Sequence, residues 1–225
     1  MKGNKKMEVK EMISHVDHTQ LKAFATWKDI ETLCDEAVEY GTASVCIPPC
    51  YIKRVHDKYG DNLTICTVIG FPLGYSVTEA KVAETKQAVA DGAKEIDMVI
   101  NISDVKNGDY AKVEDEIKQI KEACDGNLLK VIIETCYLTE EEKIAMCKAV
   151  TNANAEFIKT STGFGTAGAQ LEDIRLFKEN IGADVKIKAA GGIRTKEAMA
   201  EFLAAGCERI GASAAGEIMR AEYSK

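Results

Sequence analysis

Eight short apolar runs alternate along the chain with longer amphipathic segments, and this alternation limits the fold more than any other feature of the sequence. The runs at residues 13–17, 43–47, 63–69, 95–100, 129–134, 157–159, 185–188 and 209–211 read as strands. Between them, apolar residues fall three and four apart, as in Ile30, Leu33, Cys34, Ala37 and Val38, or Val113, Ile117, Ile120 and Ala123, the spacing of a helix with one packing face. Strands separated by helices build parallel sheets, and eight such units favour closure into an α/β TIM (β/α)8 barrel over an open sheet. A chain of 225 residues suits one such barrel. A single domain over 1–225 is therefore expected, with a short polar lead-in over 1–12.

Local signals agree with this layout. Thr26 with Asp29, Thr139 with Glu142, and Thr195 ahead of Ala198 mark helix starts. Gly41, Gly60, Gly92, Gly126, Gly182 and Gly206 stand where a left-handed residue would end a helix.

Composition removes several function classes. A net charge of -7 argues against a nucleic-acid partner, which calls for a basic surplus or stripe. No apolar stretch is long enough to span a membrane, and Met1 to Met7 lead into charged sequence rather than a secretory apolar core. The eight cysteines form no C-x-x-C pair, so reduced thiols in a cytoplasmic protein are expected. His15, His18 and His56 make no metal-binding pattern, so a zinc-dependent mechanism is not anticipated.

The chemistry centres on two lysines, each closing an apolar strand ahead of small residues: Lys159 before Thr160-Ser161-Thr162-Gly163, and Lys188 before Ala189-Ala190-Gly191-Gly192. An ammonium at such a place is poorly solvated, and a neighbouring cation repels it, so both effects favour the neutral amine. A neutral lysine is a nucleophile for carbonyl carbon, which points to Schiff-base chemistry. Asp97 lies inside Ile96-Asp97-Met98-Val99, where a carboxylate needs a cationic partner. It is expected to pair with one of the lysines and to shuttle protons; the competing reading is a plain buried ion pair.

Reactive groups of such barrels gather at the C-terminal ends of the strands. Asp17, Thr19, Cys46, Asp97, Glu134, Lys159, Lys188, Gly211 and Ser213 all fall there. Gly191-Gly192-Ile193-Arg194 and Gly211-Ala212-Ser213 follow the last two strands, where backbone amides and helix N-termini hold phosphate. Thr162-Gly163-Phe164-Gly165 adds a third anion contact. Cys46 is read as a buried pocket residue rather than a nucleophile.

Seven segments in order resemble the deoxyribose-phosphate aldolase family, whose members are class I aldolases. They are Asp17-His18-Thr19, Val45-Cys46-Ile47, Gly70-Phe71-Pro72-Leu73-Gly74, Glu95-Ile96-Asp97-Met98-Val99, Phe157-Ile158-Lys159-Thr160-Ser161-Thr162-Gly163, Lys188-Ala189-Ala190-Gly191-Gly192-Ile193-Arg194, and Arg209-Ile210-Gly211-Ala212-Ser213. The resemblance implies that Lys159 forms the Schiff base, that Lys188 eases its deprotonation, and that Asp97 works with Lys188 in proton transfer. It further implies that Gly163, Gly191, Gly192, Arg194, Gly211 and Ser213 surround a substrate phosphate, while Thr162 and Asp17 face sugar hydroxyls. The implied reaction is reversible cleavage of 2-deoxy-D-ribose 5-phosphate into D-glyceraldehyde 3-phosphate and acetaldehyde, without a cofactor, in a homodimer or higher homo-oligomer. Gln20 and Ala214 depart from the family pattern. Two other readings are a transaldolase-like barrel and a barrel that binds phosphosugars without turning them over.

Overall fold

The computed structural model describes residues 8–223, so Met1 to Met7 of the expected lead-in lie outside the described residues. Eight parallel strands close into one barrel in sequence order: β1 (Val16–Thr19), β2 (Ser44–Ile47), β3 (Ile65–Ile69), β4 (Glu95–Val99), β5 (Leu128–Ile132), β6 (Phe157–Lys159), β7 (Lys186–Ala190) and β8 (Arg209–Ala212). The helices are α1 (Val9–Ile13), α2 (Trp27–Tyr40), α3 (Ile52–Tyr59), α4 (Thr78–Ala90), α5 (Ile102–Lys106), α6 (Tyr110–Ala123), α7 (Glu140–Asn152), α8 (Leu171–Asn180), α9 (Lys196–Ala205) and α10 (Ala215–Tyr223).

Three departures from the sequence reading matter. The first strand begins at Val16, because Val9, Met12 and Ile13 are spaced as a helical stripe; Met12 and Ile13 are buried, and α1 packs on α9 and α10. The seventh strand runs on to Ala190, which pairs with Gly211. Lys188 therefore lies mid-strand rather than at a strand end, since small alanines extend a ladder as readily as they open a loop. The fifth strand stops at Ile132, leaving Glu134 in the loop beyond.

The capping signals at Thr26, Thr139 and Thr195 all form, with reciprocal boxes at the first two. Gly182 does not end α8 in a left-handed turn. Its amide donates to Thr151 Oγ1 at 2.9 Å instead, and Ile181 closes the helix in extended backbone. Val38 leaves the expected stripe of α2 and is 47% exposed.

Strand residues two apart share a face. The outward set, including Ile96, Met98, Val131, Ile158, Ile187 and Ile210, joins the helices in one apolar core. The interior differs: apart from a small patch of Cys46, Cys66 and Val68, much of it is filled by charged side chains.

The loop after β3 is held from below. The Gly70 amide donates to Glu84 at 2.8 Å, and the Gly74 amide donates to the Gly70 carbonyl at 2.8 Å. Gly74 has φ +73°, and a Cβ there would fall 2.0 Å from the Ile100 carbonyl oxygen. Gly74→Ala is expected to lower stability by about 1–3 kcal/mol, seen as a reduced urea midpoint; an unmoved midpoint would show that the loop can shift away from Ile100.

Candidate active site

Strand register sets the interior charges side by side. Asp97 is the register partner of Lys130, Lys159 of Lys188, and Lys188 of Arg209. Their side chains converge: Lys130 Nζ donates to Asp97 Oδ1 at 2.8 Å, while Lys159 and Lys188 both donate to Oδ2, at 2.7 and 2.6 Å. One carboxylate thus serves three ammonium groups.

A second tier supports the first. Lys188 also pairs with Asp17, whose Oδ1 accepts from Arg209 at 2.5 Å and from the Ser44 hydroxyl at 2.7 Å. Glu95 accepts from Arg209 at 2.8 Å and lies 2.6 Å from Lys130. In this network four cations, Lys130, Lys159, Lys188 and Arg209, meet three carboxylates, Asp17, Glu95 and Asp97.

Burial alone would push the carboxyl of Asp97 up, but Lys130, Lys159 and Lys188 outweigh it and hold it well below the usual carboxylate range. Asp17 is treated the same way: burial opposes, and Lys188, Lys130 and Arg209 prevail. For Lys188 burial favours the neutral amine, yet Asp17 and Asp97 win and raise its value. The expectation that both lysines tend to lose a proton therefore fails at Lys188, which stays an ammonium.

These depressed carboxyls link stability to pH. Their folded values lie below the unfolded value of about 4, so between the two the unfolded chain binds more protons and folding gains stability as pH rises. The contribution of Asp17 and Asp97 is complete above about pH 4 and is lost as pH falls through their depressed folded values. Urea midpoints below pH 4 should fall more steeply for the wild type than for Asp97→Asn, and parallel curves would remove Asp97 from this linkage.

Above the network opens a cleft of about 230 Å³, lined by Thr19, Lys159, Thr162, Gly163, Gly191, Gly192, Arg194, Gly211 and Ser213. Lys159 is the only lysine of the network on its wall. The loops after β6 and β7 meet backbone to backbone: Ala169 donates to the Ala190 and Gly191 carbonyls at 3.1 Å each, and Gly191 has φ +84° with Gly168 Cα 3.0 Å from where its Cβ would stand. Only glycine permits that approach. Phe71 and Phe164 close one side edge to face, with ring centroids 5.3 Å apart.

Ten of the thirteen expected site residues fall in two connected tiers, with nine on the cleft wall and Asp97 beneath them. Lys188 lies below the cleft, reached through Asp97. Asp17, expected at sugar hydroxyls, is fully buried under Lys188. Its carboxylate is spent on Lys188, Arg209 and Ser44 instead. Cys46 is also fully buried, packed with Cys66 and Val68 beneath Leu21 and Phe71.

Sequence reasoning missed Lys130, Glu95 and Arg209. Lys130 carried the same signal as Asp97, a charge flanked by apolar residues within a strand. Of the departures, Gln20 lines the cleft and Ala214 lines an adjoining groove. Two trios could in principle hold a metal ion, Cys46 with Cys66 and Asp97, and Asp17 with Cys66 and Glu95. The Lys130 ammonium already fills the position between them, 3.3 Å from Cys66 Sγ and 2.8 Å from Asp97.

A closed parallel barrel with a lysine opening onto a glycine-lined cleft at the C-terminal strand ends defines a (β/α)8-barrel enzyme. The chain matches the profile described as DeoC/LacD family aldolase over residues 11–225, and it belongs to that family.

Relatives share nearly the full length. The chain is similar to a deoxyribose-phosphate aldolase of Clostridium botulinum (strain Alaska E43 / Type E3), 65% identical over 215 residues that cover 96% of this chain and 97% of that protein. One from Clostridioides difficile (strain 630) is 56% identical, covering 95% and 98%. Among solved structures, the tetrameric deoxyribose phosphate aldolase of Aeropyrum pernix superposes with a TM-score of 0.88 at 28% identity, covering 96% of this chain and 92% of that one. No helix among the described residues is long and apolar enough to cross a membrane.

Proposed function

We propose that the chain is a 2-deoxyribose-5-phosphate aldolase, cleaving 2-deoxy-D-ribose 5-phosphate reversibly into D-glyceraldehyde 3-phosphate and acetaldehyde through an imine on Lys159. The observation that carries this reading is the shared oxygen of Asp97, which touches both Lys159 and Lys188 directly beneath the cleft.

Position favours Lys159 as nucleophile, because it alone of the network's lysines lines the cleft. Its amine attacks the aldehyde carbon of the open-chain sugar, giving a carbinolamine that expels water with a proton supplied from the Lys188–Asp97 pair. In the resulting protonated imine, the bond between C2 and C3 breaks toward nitrogen as the C3 hydroxyl returns a proton to the Lys188–Asp97 pair and becomes the carbonyl of the departing aldehyde. That step releases D-glyceraldehyde 3-phosphate and leaves an enamine. Protonation at carbon and hydrolysis then free acetaldehyde and restore the lysine, so one difficult step becomes several easier ones.

The phosphate is assigned to Gly163, Gly191, Gly192, Arg194, Gly211 and Ser213, with Thr19 and Thr162 on the sugar side. Support comes from their common cleft, the guanidinium of Arg194, and the start of α10 just past Ser213. Asp17 belongs to this reading as the group that fixes Lys188, and Cys46 as part of the apolar floor. A homodimer or higher homo-oligomer in the cytoplasm completes the proposal. The tetrameric relative and the exposed Leu73, Tyr75 and Val77 on one loop support assembly, and light scattering tests it.

Borohydride reduction in the presence of acetaldehyde or 2-deoxyribose 5-phosphate, followed by peptide mapping, is the direct test. A reduced adduct on Lys159 is the expected result. Folded protein yielding no lysine adduct would favour a phosphosugar-binding barrel, and turnover of a ketose phosphate a transaldolase-like one.

A further inference from the structure

Glu134 is a buried acid that the mechanism above does not use. It is 2% exposed and stands just past β5, with φ +52° and ψ +68°. A left-handed backbone is unusual for a residue with a Cβ, and such strain persists where the surroundings demand it. Here it aims the carboxylate at the loop after β6. The Thr162 amide donates to both Glu134 oxygens at 3.2 Å, and the Thr162 hydroxyl donates to Oε2 in a short bond. The loop then folds back over the acid, and a Cβ on Gly165 would lie 3.2 Å from Glu134 Oε1.

The direction of these bonds has a chemical consequence. A threonine hydroxyl has one proton and two lone pairs. The proton of Thr162 goes to Glu134, and one lone pair accepts from the Phe164 amide at 3.0 Å. What remains for the cleft is a single lone pair, on a residue that forms part of the cleft wall.

We propose that Glu134 is a positioning residue that fixes Thr162 as a hydrogen-bond acceptor toward the substrate, so that the cleft selects a sugar carrying a hydroxyl donor at that place. The Glu134 carboxylate takes its close hydrogen bonds from Thr162, with Cys136 Sγ 4.0 Å from Oε1, and acts on binding through Thr162. The proposal rests on the aldolase reading above. Glu134→Gln keeps the shape but leaves one acceptor oxygen for the Thr162 amide and hydroxyl; with that oxygen on the amide, the N–H₂ faces the hydroxyl and turns its proton toward the cleft.

The test compares two reactions of the same protein. Glu134→Gln should raise KM for 2-deoxyribose 5-phosphate at least about tenfold, the scale of one misdirected buried hydrogen bond. Reductive trapping of acetaldehyde, which brings no hydroxyl, should proceed at the wild-type rate. Thr162→Val keeps the backbone bond to Glu134 and serves as a second variant. It should raise KM similarly, and the double variant should be no worse than either single one.

An unchanged KM in both single variants, or fully additive effects in the double variant, would overturn the proposal. So would an equal loss of acetaldehyde trapping, which would mark Glu134 as a general structural support. Failure of the aldolase reading is separable, because the wild type itself would then trap no acetaldehyde.

Discussion

Lys159→Leu is expected to reduce aldol turnover to background while the barrel stays folded. The structure explains why both halves of this outcome should hold. Lys159 reaches the cleft wall, and in the proposed mechanism its amine attacks the carbonyl there. Leucine has no nucleophile, and no other lysine of the network lines the cleft. The fold is spared because Asp97 keeps Lys130 and Lys188 at 2.8 and 2.6 Å. Losing one of four cations also leaves three to match three carboxylates, so no buried charge is orphaned. The measurements are turnover of 2-deoxyribose 5-phosphate, a urea midpoint close to wild type, and absence of the borohydride adduct. Substantial residual turnover with an adduct on another lysine would move the nucleophile elsewhere.

Asp97→Asn should do the opposite, harming stability and activity together. It leaves three ammonium groups converging on a neutral amide at the fully buried centre of the barrel. Removing one partner of a buried charge cluster costs about 3–5 kcal/mol, and loss of a positioned proton carrier slows a reaction about 10²- to 10⁴-fold. The two effects separate experimentally: urea denaturation gives the first, and the rate per folded molecule gives the second. A normal rate from the folded fraction would reduce Asp97 to an ion-pair partner. Unchanged stability would mean that the lysines do not rely on it.

The barrel was legible in the sequence because each strand is short, apolar and followed by a helix with one packing face. The meeting of Lys159 and Asp97 was legible for a related reason, since both are charges placed within apolar strands, where solvation is poor. What escaped was long-range pairing. Nothing within residues 128–132 says that Lys130 meets Asp97, because that contact depends on the register of β4 against β5. Lys188 was misread in the same way. Its local surroundings suggest an amine easily neutralised, and only the closed barrel brings Asp17 from the far end of the chain to hold it charged. Asp17 was assigned to sugar hydroxyls by the family resemblance, and a first strand placed three residues early put it at a strand end, where nothing local opposed that role. Glu134 was placed at a strand end but given no role, since neither its left-handed backbone nor its bond to Thr162 can be read from residue type.

The charged filling of the barrel also bears on how such a chain can drift over generations. Each member of the interior set touches at least one opposite charge, and Asp97 touches three lysines. Effects of substitutions in one such network do not add. A neutral replacement at any one of the carboxylates leaves the same buried cations sharing two acids, whereas a simultaneous apolar exchange of an acid and a base can be tolerated. Variation at Asp17, Glu95, Asp97, Lys130, Lys188 and Arg209 is thus confined to concerted changes, and the history of the interior is one of residues inherited as a set.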